Sequence, residues 1–119
     1  MSISDMRKKI IGLCMSFPDA YEDYPFNDSN WTVMRHGYNK KIFACIYERM
    51  GNIWINVKCE PAKGEFLRKM HRNVVPAYHM NKTHWNSIIM DGTASYEAVC
   101  AMIDDSYKLT APKIQKTAL

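Results

Sequence analysis

The chain has 119 residues, 47% hydrophobic and 24% charged. That fits one globular domain with a core of its own and excludes a disordered chain. A formal net charge of +4 is too mild to demand a polyanionic partner, and no apolar run approaches the roughly 18 residues of a membrane span.

Ser4 and Asp5 are candidate caps for a first helix over about residues 4–16, where Met6, Ile10, Leu13, Cys14 and Phe17 recur at helical spacing. Pro18 ends it. Residues 19–28 are acidic, aromatic and turn-rich, and read as a loop or an irregular edge strand. Three strands follow, over residues 31–36, 41–49 and 53–59, separated by the turn signals Gly37-Tyr-Asn39 and Met50-Gly-Asn52. In the third, Ile53, Ile55, Val57 and Cys59 alternate with Trp54, Asn56 and Lys58, so the two sets take opposite faces of a sheet.

Pro61 suits the first turn of a second helix, on which Ala62, Phe66 and Met70 form an apolar stripe with Leu67 beside it. Gly64 weakens that helix by about 1 kcal/mol relative to Ala. Residues 72–82 read as a loop with an extended Val74-Val-Pro76, followed by a strand over 85–90. Ser95 caps a last helix with Tyr96, Val99, Cys100, Ile103 and Tyr107 on one face, which Pro112 ends. The order α-β-β-β-α-β-α gives an α+β fold, a two-layer sandwich on an antiparallel sheet. It spans residues 1–119 as one domain, with a core over about 4–110 and a frayed tail from 113.

Cys14, Cys45, Cys59 and Cys100 form no C-x-x-C pair and sit in apolar stretches. With no signal-peptide pattern at the start, they read as reduced, buried thiols of a cytoplasmic protein. His36, His71, His79 and His84 lack the helical spacing of a zinc site, so no metal and no cofactor are expected. No nucleophile motif or phosphate-binding loop is present, and the expectation is a protein that is not an enzyme. An undetected activity would need His79 or His84 beside a carboxylate or thiol. The acidic Glu22, Asp23 and Asp28 lack calcium-loop spacing and read as surface.

Charge is unevenly placed. Between Arg35 and His84 ten Lys/Arg face three acids, a net of +7, whereas the remainder carries −3. A basic block of this kind is either a solvated face or a counter-surface for phosphate. The segment Pro76-Ala-Tyr-His-Met-Asn-Lys-Thr-His-Trp-Asn86 concentrates aromatic, amide and basic groups. It reads either as a nucleic-acid contact or as a loop anchored by Tyr78 and Trp85. The face Trp54, Asn56, Lys58 is either a stacking platform or an ordinary sheet face.

With Phe17-Pro18, Tyr21-Glu-Asp-Tyr-Pro-Phe26, Trp54-Ile-Asn-Val-Lys-Cys59, the Pro76–Asn86 string and Ile103-Asp-Asp-Ser-Tyr107 in this order, the chain resembles the MmcQ/YjbR family from about Arg7 to Lys108. The resemblance implies a fold related to the frataxin/CyaY and secretion-chaperone group. It also implies a DNA-binding protein with a double wing of hairpins. On the positions that match, Lys58, Lys82, His84, Trp85 and Asn86 are the candidate contacts, joined by Trp54, Asn56, Arg35, Lys40 and Lys41. Iron delivery, suggested by the frataxin kinship, is disfavoured because Arg7-Lys8-Lys9 make the first helix basic. The expected partner is DNA, bound weakly and without sequence preference by a monomer. The alternative is a protein or peptide adaptor using an apolar surface around Trp54 or exposed methionines.

Overall fold

The computed structural model describes residues 2–113, so the frayed tail expected from 113 falls, from 114 onward, outside the described residues. Its elements are α1 (Ile3–Met15), β1 (Ala20–Asp23), β2 (Thr32–His36), β3 (Ile42–Arg49), β4 (Asn52–Lys58), α2 (Pro61–Met70), β5 (Val74–Pro76), β6 (Trp85–Ile89) and α3 (Tyr96–Thr110). The six strands form one antiparallel sheet in the order β1-β2-β3-β4-β6-β5. The four expected strands are its centre. The two added strands, β1 and β5, lie at the edges, in segments whose sequence reads as irregular or extended.

The helix starts and stops follow local chemistry. α1 begins earlier than Ser4 suggests. Ser2 is the cap, its hydroxyl accepting from the Asp5 N–H at 3.0 Å while the Asp5 carboxylate accepts from the Ser2 N–H, a capping box. Ser95 caps α3 through the Ala98 N–H, and Pro61 occupies the first turn of α2.

α1 and α3 cover one face of the sheet. Ile10 and Cys14 of α1, and Val99, Met102 and Ile103 of α3, meet Met34, Ala44, Ile46, Ile55, Val57 and Ile88 in a single core. Ser106 fastens α3 to the two central strands, donating to the Phe43 carbonyl at 2.6 Å and accepting from the Lys58 N–H at 2.8 Å. His36 is buried between β2 and the end of α3. The Thr110 hydroxyl gives its proton to the Ser106 carbonyl, which leaves His36 Nε2–H as donor to Thr110 Oγ1 at 2.9 Å. Desolvation holds the imidazole pKa below its ordinary value.

α2 turns differently from its apolar stripe. Phe66 and Met70 are 58% and 61% exposed, and the helix meets the sheet through Gly64 and the half-buried Leu67. The reason is room: a Cβ on Gly64 would stand 2.5 Å from Cys59 Sγ, so the missing side chain lets α2 approach the end of β4.

Gly64→Ala should therefore destabilise the fold. Overpacking costs about 1–3 kcal/mol, and a contact as close as 2.5 Å puts it toward the upper part of that range, above the ~1 kcal/mol that helix propensity returns. The urea midpoint should fall, and Gly64→Ala/Cys59→Ala should recover part of the loss. A second outcome concerns pH. Because burial depresses the His36 pKa, the unfolded chain takes up the proton first as pH drops through about 6.5. The contribution of neutral His36 to stability is thus full above that value and lost progressively below it, down to the lowered pKa of the folded state. Thermal midpoints should fall from about pH 7.5 to about 5.5, with a smaller slope in His36→Gln.

Candidate nucleic-acid interface

The helix-free face of the sheet is also covered. Trp54 is 8% exposed and Asn56 is 0% exposed, because the loop after β5 brings Tyr78 over both, its ring 6.3 Å from that of Trp54 and its carbonyl on Asn56. Asn56 organises the cover. Its Oδ1 accepts from the Tyr47 hydroxyl at 2.7 Å and from Ser87 Oγ at 2.5 Å. Its Nδ2 donates to the Tyr78 carbonyl at 2.8 Å, and Ser87 Oγ accepts from the Tyr78 N–H at 2.9 Å. Burial pushes the Tyr47 hydroxyl, and the Cys45 thiol of the same face, up to about 12.

Rings pack around this knot. Trp31 stacks on Tyr47 at 4.0 Å, and the Arg49 guanidinium lies 4.1 Å from the Tyr78 ring centre and 4.6 Å from that of Trp54. Arg7 reaches across from α1 to hold the segment that delivers Trp31, donating to the Asn30 carbonyl at 2.8 Å and to Asn30 Oδ1 at 2.7 Å.

Three expected contacts are thereby withdrawn from the surface. Trp54 and Asn56 are buried by the loop above them. Asn86, 1% exposed, faces the helix layer, where its Oδ1 accepts from Arg68 at 2.7 Å and its Nδ2 donates to the Gly64 carbonyl at 3.2 Å. Trp85 is half-buried opposite Lys58. Arg35 is half-buried in an ion pair with Asp23 at 2.7 Å and donates to the Lys40 carbonyl.

The remaining candidates converge. Lys40 and Lys41 close the β2–β3 hairpin. The pairing Ala44↔Val57 puts the end of β4, with Lys58, beside the start of β3. Lys58↔Trp85 then brings the start of β6, with Lys82 and His84 just before it, to the same end of the sheet. Lys40, Lys41, Lys82 and His84 are exposed and Lys58 is half-buried. Among the described residues none of these lysines is in a salt bridge; the bridges found engage Arg35, Lys63, Lys69 and Lys108. Lys82 instead donates to the Ala77 carbonyl at 2.7 Å, bracing its own loop.

The residue missing from the sequence reading is Tyr38, 83% exposed at the tip of the same hairpin. The tip is pinned below it. The Gly37 N–H donates to the Asp19 carbonyl at 2.7 Å and the Tyr38 N–H to Asp19 Oδ2 at 2.7 Å, while Asn39 Nδ2 reaches the Thr110 carbonyl at 3.0 Å. A Cβ on Gly37 would meet Asp19 Oδ1 at 2.4 Å, so glycine permits this approach. The available signal was an aromatic residue inside a turn followed at once by two lysines.

No group of three or more His, Cys, Asp or Glu capable of holding a metal occurs among the described residues. No helix there is long and apolar enough to cross a membrane. Cys14, Cys45, Cys59 and Cys100 are free, the first three buried.

This is an α+β protein of three helices on a six-stranded antiparallel sheet, an architecture also found in solved structures. A Deinococcus radiodurans protein, solved as a representative of the domain DUF419, superposes with a TM-score of 0.79 at 30% identity, over 98% of this chain and 83% of that one. A Pseudomonas syringae protein superposes at 0.79 with 28% identity, over 88% and 98%. The YjbR family model matches residues 15–109. The chain is 30% identical over 108 residues to the Escherichia coli K12 protein YjbR, covering 91% of this chain and 86% of that one. It is 34% identical over 99 residues to Bacillus subtilis YyaQ, covering 74% and 83%. The chain belongs to the YjbR family.

The placement of Asn56 has a measurable consequence. Asn56→Ala removes the acceptor shared by the Tyr47 and Ser87 hydroxyls and leaves the Tyr78 carbonyl without its donor, and should cost about 2 kcal/mol in urea unfolding. Tyr47→Phe, which removes one donor, should cost about 1 kcal/mol.

Proposed function

We propose that the protein binds DNA through the end of the sheet where the β2–β3 hairpin tip, the end of β4 and the β5–β6 loop meet. The observation that carries this reading is the convergence of Lys40, Lys41, Lys58, Lys82 and His84 around an exposed Tyr38. Lysine ammonium groups neutralise phosphates and set affinity without reading sequence. Tyr38 adds a flat face on which a base can stack, worth about 1–3 kcal/mol. Arg35 contributes indirectly, since its hydrogen bond to the Lys40 carbonyl and its ion pair with Asp23 steady the hairpin.

Binding by lysines responds steeply to salt. Fluorescence anisotropy of labelled oligonucleotides should give affinities that fall as salt rises, and Lys40→Ala/Lys41→Ala should reduce the log–log slope by about 1–1.5 for single strands. Tyr38→Ala should weaken single-strand binding by about five-fold or more without lowering the unfolding midpoint, because the residue is 83% exposed. A flat salt response, or no binding at low salt, would refute the proposal. A partner that is a protein would then be sought.

A further inference from the structure

The loop cover of the sheet leaves a groove of about 370 Å³ on the helix-free face, within the range of small-molecule pockets. Trp31 forms one wall. Tyr47 stacks on one face of the Trp31 ring at 4.0 Å. Phe26 stands nearly perpendicular to Trp31, at 6.2 Å and 84°, and is 53% exposed. His79 lines it as well, its ring tilted 50° to Trp31 at 6.4 Å. Ile42 and Cys45 lie at the strand beneath.

Two features mark this as more than a gap between loops. His79 has φ +60°, a left-handed conformation uncommon outside glycine, and it sets the imidazole against the Tyr78 ring at 4.0 Å. Such strain persists where surroundings enforce it and clusters at binding sites. The second feature is Asp28 at the rim. Its Oδ1 accepts from the Asn30 N–H at 2.9 Å, and Oδ2 has no hydrogen bond among the described residues.

One lining residue, Ile42, starts β3 opposite Arg35 and so adjoins the hairpin that carries Lys40 and Lys41. Ile42 directly follows Lys41, and His79 precedes Lys82 in the same exposed loop. Flanking cations favour an anionic partner, and aromatic walls favour flat rings. A strand of nucleic acid supplies both at the spacing of one nucleotide.

We infer that this groove holds one unpaired nucleobase of a bound strand, flanked by Trp31, Phe26 and His79, with Asp28 selecting guanine. The inference rests on the DNA-binding reading above and adds to it a preference for single strands and for one base. A carboxylate accepts hydrogen bonds only. The pairing edge of guanine offers two N–H donors side by side, from its ring N–H and its exocyclic amine. Thymine offers one donor between two carbonyls, which a carboxylate repels. A base paired in a duplex has this edge occupied and cannot enter.

The test has two arms. Anisotropy would compare a twelve-nucleotide thymidine oligomer with the same oligomer carrying one central dG. In parallel, free guanosine and thymidine, which lack phosphate, would be titrated into ¹⁵N-labelled protein while the Trp31 indole resonance is followed. The dG oligomer should bind at least about five-fold more tightly, guanosine should shift the Trp31 indole more than thymidine does, and Asp28→Asn should bring the dG/dT ratio toward one. Asp28 and Phe26 are exposed, so Asp28→Asn and Phe26→Ala should fold normally, and Phe26→Ala should weaken the guanosine shift. Equal affinity for both oligomers with no Trp31 response would overturn the groove assignment, while salt-dependent binding would leave the phosphate surface standing. A guanosine response without oligomer binding would keep the pocket and remove the phosphate surface. Neither response would remove both.

Discussion

A carboxamide in the middle of a β-sheet, shut off from water, has to find a partner for its donors and its acceptor within the protein. Asn56 finds them in Tyr47, Ser87 and the backbone of Tyr78. The last of these is decisive, because Tyr78 belongs to a loop with no regular structure of its own. Through it, a buried polar network fixes the path of residues 77–84 over the helix-free face. Much follows from that path. Trp54 becomes part of the interior, Arg49 is trapped against aromatic rings, and Lys82 and His84 are delivered to one end of the sheet.

The same end is reached by other elements through independent fastenings. Ser106 ties α3 to β3 and β4, His36 and Asn39 tie the β2–β3 hairpin to the end of α3, and Asp19 holds Gly37 and Tyr38. The exposed Tyr38 thus sits on a braced turn. The backbone of that turn loses little freedom on contact with a partner, so only the Tyr38 side chain itself has to be ordered.

The sequence shows the fold at the level of elements because its periodicities are clean. The alternation of Ile53, Ile55 and Val57 with Trp54, Asn56 and Lys58 is the alternation of two sheet faces in the structure. Periodicity could not show that both faces are covered, since the cover on one of them is a loop whose residues, Tyr78 to His84, carry no pattern. Hence Trp54 and Asn56 read as surface groups. Asn86 failed differently: it lies on the core face, where Arg68 and Gly64, distant in sequence, satisfy it. Gly64 itself looked like a weakness of α2 and is the condition for its packing. The basic cluster was legible as residues and not as a place, because only strand register brings Lys40, Lys41, Lys58 and Lys82 together.

The outer strands bear on how copies of the protein meet. A sheet edge with a long row of free peptide groups invites pairing with another chain and, from there, aggregation. Here the eight-residue β3 is interior, and the edges are the four-residue β1 and the three-residue β5. β1 carries Glu22 and Asp23, which repel a like strand, and β5 ends in Pro76, which has no N–H to offer. A six-stranded sheet with such short, interrupted margins resists extension by its own kind, even where copies are crowded together.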